Sequence, residues 1–170
     1  MARYLRPVNI FTFFLISSIV YALFIFYLSA QSDVSSHLGF IKKQYLLDIL
    51  SFLEGSGLGI SKEISYFAYN NQDKAMHFIL YTGFGILLYL TMHFSRNAQL
   101  RRYAVLLALV IGVSYAITDE IHQSFVPGRT SSQADVIADT AGLVFSLIIT
   151  PCFVAMVRLI NKWFRRGHAQ

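Results

Sequence analysis

Apolar positions gather into four long runs separated by polar stretches, a pattern on the scale of whole helices rather than helix faces. A helix needs about 20 predominantly apolar residues to cross the hydrocarbon core of a bilayer. Residues 8–30, 75–94 and 135–160 reach that length, the last with Pro151 as an expected kink. The run beginning at residue 103 is uncharged only as far as Thr118, which is short of a span. It is therefore expected to continue to residue 123, with its polar groups turned toward protein rather than lipid. The predicted fold is all-α, a polytopic membrane protein with four transmembrane helices forming a single domain over residues 1–170. Between the first two spans lies a long polar loop, in which Leu38, Ile41, Tyr45, Ile49 and Leu53 recur at helical spacing. They predict an amphipathic helix in an extracytoplasmic loop, packed on the bundle or lying in the headgroup layer. The glycines from Gly55 to Gly59 end it.

Composition supports the membrane reading. The 170 residues are 55% hydrophobic and 14% charged, with a mean hydropathy of +0.53. A soluble domain carries about a quarter charged residues. A single cysteine excludes a disulfide scaffold, and Cys152 reads as a small packing residue. The first run follows Arg3 and Arg6 but is longer than the apolar core of about 7–15 residues in a cleaved signal peptide, so it is expected to remain as a helix.

The net charge of +5 changes meaning once it is divided by topology. Arg3, Arg6, Arg96, Arg101, Arg102, Arg158, Lys162, Arg165 and Arg166 fall on one side of the four spans, which the positive-inside rule makes cytoplasmic. Both termini are then expected inside. The other side holds Lys42, Lys43, Lys62, Lys74 and Arg129 together with all nine acids. Cations placed at helix ends mark topology and give no nucleic-acid footprint.

Three polar clusters interrupt the apolar pattern. Lys74, His77 and Tyr81 lie on one face of the second span, with Tyr81 the expected hydrogen-bonding neighbour of His77. At the end of the third span, Asp119 pairs in register with His122 and Gln123, while Glu120 points about 100° away. Pro127-Gly128 reads as a turn, from which Arg129 is expected to reach back toward the carboxylates. The fourth span opens with Asp135 and, one turn deeper, Asp139, whose partner is expected to be Lys74, Arg129 or a protonated histidine. Each cluster also has a structural reading: a snorkelling lysine, a packing histidine, an interfacial ion-pair network.

Up-and-down connectivity brings all three clusters to one end of the bundle. There His77, Asp119 and Glu120 are the candidates for acid–base catalysis. Lys74, Tyr81, Gln123, Arg129, Asp135 and Asp139 are the candidates for binding a substrate or its phosphate. Asp119, Asp135 and Asp139 could hold a divalent ion, although no standard metal spacing such as H-E-x-x-H occurs and no cofactor is specified.

The same residues carry a resemblance to the VanZ-like family, small bacterial membrane proteins named for an accessory glycopeptide-resistance protein linked to teicoplanin. The matching features are Asp73-Lys74-x-x-His77-Phe78 with Tyr81 and Gly83, then Asp119-Glu120-x-x-Gln123-x-Phe125 with Pro127 and Arg129, then Asp135 with Gly142. Asp139 departs from the pattern, in which Asn is expected. The resemblance implies about four spans in the bacterial cytoplasmic membrane and a role in the cell envelope or in teicoplanin-type resistance. Binding or modifying a phosphorylated lipid or wall precursor is the expected function. A non-catalytic binding or scaffold protein for envelope synthesis and a small proton-coupled transporter are the alternatives. The acids cluster at one depth rather than tracing a path, which counts against transport. The expected partners are the lipid bilayer, an envelope substrate and a second copy of the chain, since Gly83, Gly85, Gly112 and Gly142 allow close helix approach.

Overall fold

A computed structural model of the chain describes residues 9–31, 70–129 and 131–167. The stripe from Leu38 to Leu53 lies outside them. The helices are α1 (Ile10–Ser29), α2 (Gln72–His93), α3 (Ala98–Arg102), α4 (Ala104–Gln123) and α5 (Gln133–Gly167), and no strand occurs among the described residues. All but the short α3 are long and apolar enough to cross a membrane, giving the expected four-span, all-α architecture of a multi-pass membrane protein. The third span does end at Gln123, as its length required. Helix α5 continues through Pro151, whose missing N–H leaves the Leu147 carbonyl without its usual donor.

Burial is inverted relative to a soluble bundle. Leu23, Phe24, Phe26 and Tyr27 on α1 and Ile148, Phe153, Leu159 and Ile160 on α5 face outward, while Ser18, Ser29, Thr91, Ser146 and Thr150 are buried. Cys152 is also exposed, so it faces outward with the apolar residues of α5 instead of packing inside. Lipid tails are as apolar as leucine, so close packing and interhelical hydrogen bonds must hold such a bundle together. The Ser18 and Thr91 hydroxyls meet at 2.9 Å, joining α1 to α2, and the Tyr115 hydroxyl donates to the Ala22 carbonyl at 2.5 Å, joining α4 to α1.

Helices α2 and α5 share the largest interface. Their contact is set at Gly142, where a Cβ would collide with the Phe78 carbonyl oxygen and stand 3.0 Å from the Thr82 amide nitrogen. The Thr82 hydroxyl donates to the carbonyls of Phe78 at 2.7 Å and Gly142 at 3.3 Å across that approach. On α4, Ala104, Ala108, Gly112 and Ala116 form a buried small-residue face, and Leu143 of α5 fills the space over Gly112. Gly83 and Gly85 likewise abut Tyr21 and Ser146 of the same chain. The close approach that these glycines allow is thus used between helices of one chain.

Candidate functional site

The end of α1, the beginning of α2, the end of α4 and the beginning of α5 meet at one end of the bundle. The apolar or small face of each helix becomes polar as it reaches this end: on α4 the buried face passes from Ala116 to Asp119, Glu120 and Gln123. On α5 it runs back from Leu143 to Asp139 and Asp135, and on α2 from Tyr81 to His77 and Lys74. Asp119, Glu120, Gln123, Asp135 and Asp139 are all buried, and Asp139 is wholly inaccessible.

Lys74 lies nearest the rim. Its ammonium pairs with Asp135 of α5 and, at 2.8 Å, with exposed Asp73. One turn deeper, His77 Nδ1 and Asp139 Oδ1 are 2.9 Å apart. Of the partners expected for Asp139, histidine is therefore the one it contacts. His77 thus turns to α5, whereas Tyr81 had been expected as its neighbour. Tyr81 is 1% exposed, and its hydroxyl has no hydrogen-bond partner among the described residues. Across-helix attraction to a carboxylate outcompetes the local i,i+4 contact.

Helix α4 supplies the other side of the site. Gln123 donates to Asp119 Oδ2 at 3.1 Å, the i,i+4 relation expected from spacing. Glu120, displaced around the helix, accepts the Ser132 amide at 2.7 Å through Oε2 and so ties α4 to the entry of α5. The His122 ring stacks on Phe26 of α1 with centroids 4.5 Å apart. One donor atom from each of His77, Glu120 and Asp139 lies within 4.8 Å of the other two, the set among the described residues best placed to hold a metal ion. This set differs from Asp119, Asp135 and Asp139, because Asp135 is engaged by Lys74.

Arg129 corrects a second expectation. Its guanidinium does not pair with the carboxylates; Nε donates to the Gln31 carbonyl and Nη2 to the Leu28 carbonyl, each at 3.1 Å. The last turn of a helix leaves carbonyls without intrahelical donors and carries partial negative charge, so a planar cation fits there. The turn before Arg129 contains Gly128 at φ 83°, a left-handed conformation suited to glycine. Sequence spacing placed Arg129 beside the acids but contained no sign of the α1 terminus. Phe26, which stacks on His122 from that same terminus, is not legible in the sequence for the same reason.

Chemically, the site combines an oriented imidazole–carboxylate pair, a rim ammonium and three buried carboxylates that contact no lysine or arginine among the described residues. At the opposite end, His93 contacts Tyr89 at 3.2 Å and Arg158, without any carboxylate. Among curated proteins and solved structures, none matches the chain. The family model described as VanZ/LLP1 matches residues 13–155, which reaches into all four spans and includes every residue of the polar cluster. The chain belongs to the VanZ/LLP1 family.

Proposed function

We propose that the protein works at the outer face of a bacterial cytoplasmic membrane, where its polar cluster engages the headgroup of a phosphorylated lipid or lipid-linked wall precursor. The observation that carries this reading is the His77–Asp139 pair, half-buried on the histidine side and fully buried on the carboxylate side, one helical turn beneath the Lys74 ammonium. A histidine oriented by a carboxylate is suited to accept or deliver a proton, provided that a substrate atom comes within hydrogen-bond reach. Lys74 has a side chain 23% exposed, so it can exchange its carboxylate partners for a headgroup phosphate. Asp119, Gln123 and Glu120 then line the inner wall, while Arg129 holds the end of α1 against it. Orientation follows from Arg96, Arg101, Arg102, Arg158 and Lys162 at the other end, which the positive-inside rule assigns to the cytoplasm along with both termini. Altered headgroup or precursor pools would change the envelope and, through it, susceptibility to glycopeptides of the teicoplanin type.

The test is the purified full chain reconstituted in vesicles with a short polyprenyl diphosphate. Retention of that lipid on the protein, with or without release of phosphate, is the expected result. Retention no greater than that of neutral lipid, with no phosphate released, overturns the proposal.

A further inference from the structure

Three buried carboxylates, Asp119, Glu120 and Asp139, share an apolar bundle with no lysine or arginine in contact among the described residues. Uncompensated buried charge is costly, and partially satisfied buried polar atoms carry much of the same penalty. Glu120 and Asp139 show a common arrangement. Each has one oxygen engaged by the protein: Glu120 Oε2 by the Ser132 amide, which lies outside the set, and Asp139 Oδ1 by His77, which lies within it. Each leaves its second oxygen, Oε1 and Oδ2 respectively, buried and without a hydrogen-bond partner among the described residues. For Glu120 this is the usual arrangement around a bound metal, where an outer contact orients the donor.

We propose that His77, Glu120 and Asp139 form a site for a divalent transition cation of the Zn²⁺ or Mn²⁺ type at the centre of this cluster. One donor atom from each residue lies within 4.8 Å of the others. Bonds of about 2.0–2.1 Å in a tetrahedral sphere set ligand spacings of about 3.4 Å, so the donors have to draw together on binding. One imidazole with two carboxylates is a mixed N/O set, which favours zinc or manganese over the all-oxygen preference of calcium or magnesium. The Tyr81 hydroxyl supports the assignment independently. Tyr81 is 1% exposed, and its hydroxyl lacks a hydrogen-bond partner among the described residues and lies within electrostatic range of Asp119, Asp139 and Glu120. Three protein ligands leave coordination open, as in catalytic rather than structural sites. The assignment rests on reading the cluster as a ligand site and adds the nature of what occupies its base; with the ion bound, His77 would serve as a ligand and not as the proton carrier of the metal-free site.

The experiment uses the full chain, free of any histidine tag, purified in detergent, stripped with chelator and then titrated with Zn²⁺ or Mn²⁺ alone. Metal is counted by mass spectrometry after removal of free ions, and folding is checked by elution profile and circular dichroism. The wild type should bind about one ion per chain, the stoichiometry of a three-ligand site. His77→Ala and Glu120→Gln should each weaken binding by at least about tenfold, a loss seen even for residues that only orient ligands. Glu120→Gln keeps shape and an oxygen for Ser132, so it remains informative if His77→Ala does not fold. His93→Ala, at the opposite end, should bind as the wild type does. A wild type that takes up no stoichiometric metal overturns the assignment, as do Glu120→Gln and His77→Ala proteins that bind normally. If the lipid retention described above persists in metal-free protein that takes up no ion, the metal site alone is lost.

Discussion

Arg129 shows how one side chain can leave the role suggested by its neighbours in sequence. Its guanidinium spans two carbonyls at the end of α1, so it fixes the wall of the site instead of neutralising its acids. Arg129→Ala should therefore lower stability by about 1.5–3 kcal/mol, the range for hydrogen bonds to charged groups. Arg129→Lys should recover part of that loss, since an ammonium lacks the planar fork that meets both carbonyls. Denaturation in mixed micelles gives the comparison, and two variants as stable as the wild type would contradict this role. The residues of the site were legible because ionisable groups are expensive within a span, so their presence in an apolar pattern is itself a signal. Their pairings were less legible. The Asp119–Gln123 contact lies within one helix and follows from spacing, whereas His77–Asp139 and Lys74–Asp135 join different helices and depend on how those helices are rotated.

Among the elements, α2 and α5 set the geometry, because they carry Lys74 and His77 on one side and Asp135 and Asp139 on the other. Their approach is fixed at Gly142, less than one turn from Asp139 along α5. A methyl group there meets backbone of α2, which cannot rotate away, so Gly142→Ala should destabilise by about 1–3 kcal/mol through overpacking. At Gly83 the obstacle is the tip of the Tyr21 side chain, which can move, so Gly83→Ala should cost less. Micelle unfolding midpoints should rank wild type above Gly83→Ala and Gly83→Ala above Gly142→Ala; the reverse order of the variants would place the critical contact elsewhere. The four spans and their approximate bounds were readable from apolar run length, including the extension of α4 into its polar end, whereas the short α3 and the polar last turns of α5 were not. The partner face of each glycine was not, since small residues permit close approach to any helix, in the same chain or another.

For the whole molecule, the division of charge between the two ends is the feature that sets orientation in the membrane. Phe125, 79% exposed beside the polar cluster, and Arg96, in the opposite turn, are markers for it. In a Cys152→Ser background, Phe125→Cys should react with a membrane-impermeant thiol reagent in intact cells and Arg96→Cys only after lysis. The opposite pattern would place the cluster in the cytoplasm and remove an outer-leaflet ligand. The central claim, that this cluster works on the envelope, is tested most directly by profiling lipids and wall precursors in a deletion strain rescued by wild type or by His77→Ala at equal protein level. The account predicts that wild type restores the profile and His77→Ala leaves it as in the deletion. Full restoration by His77→Ala would contradict it.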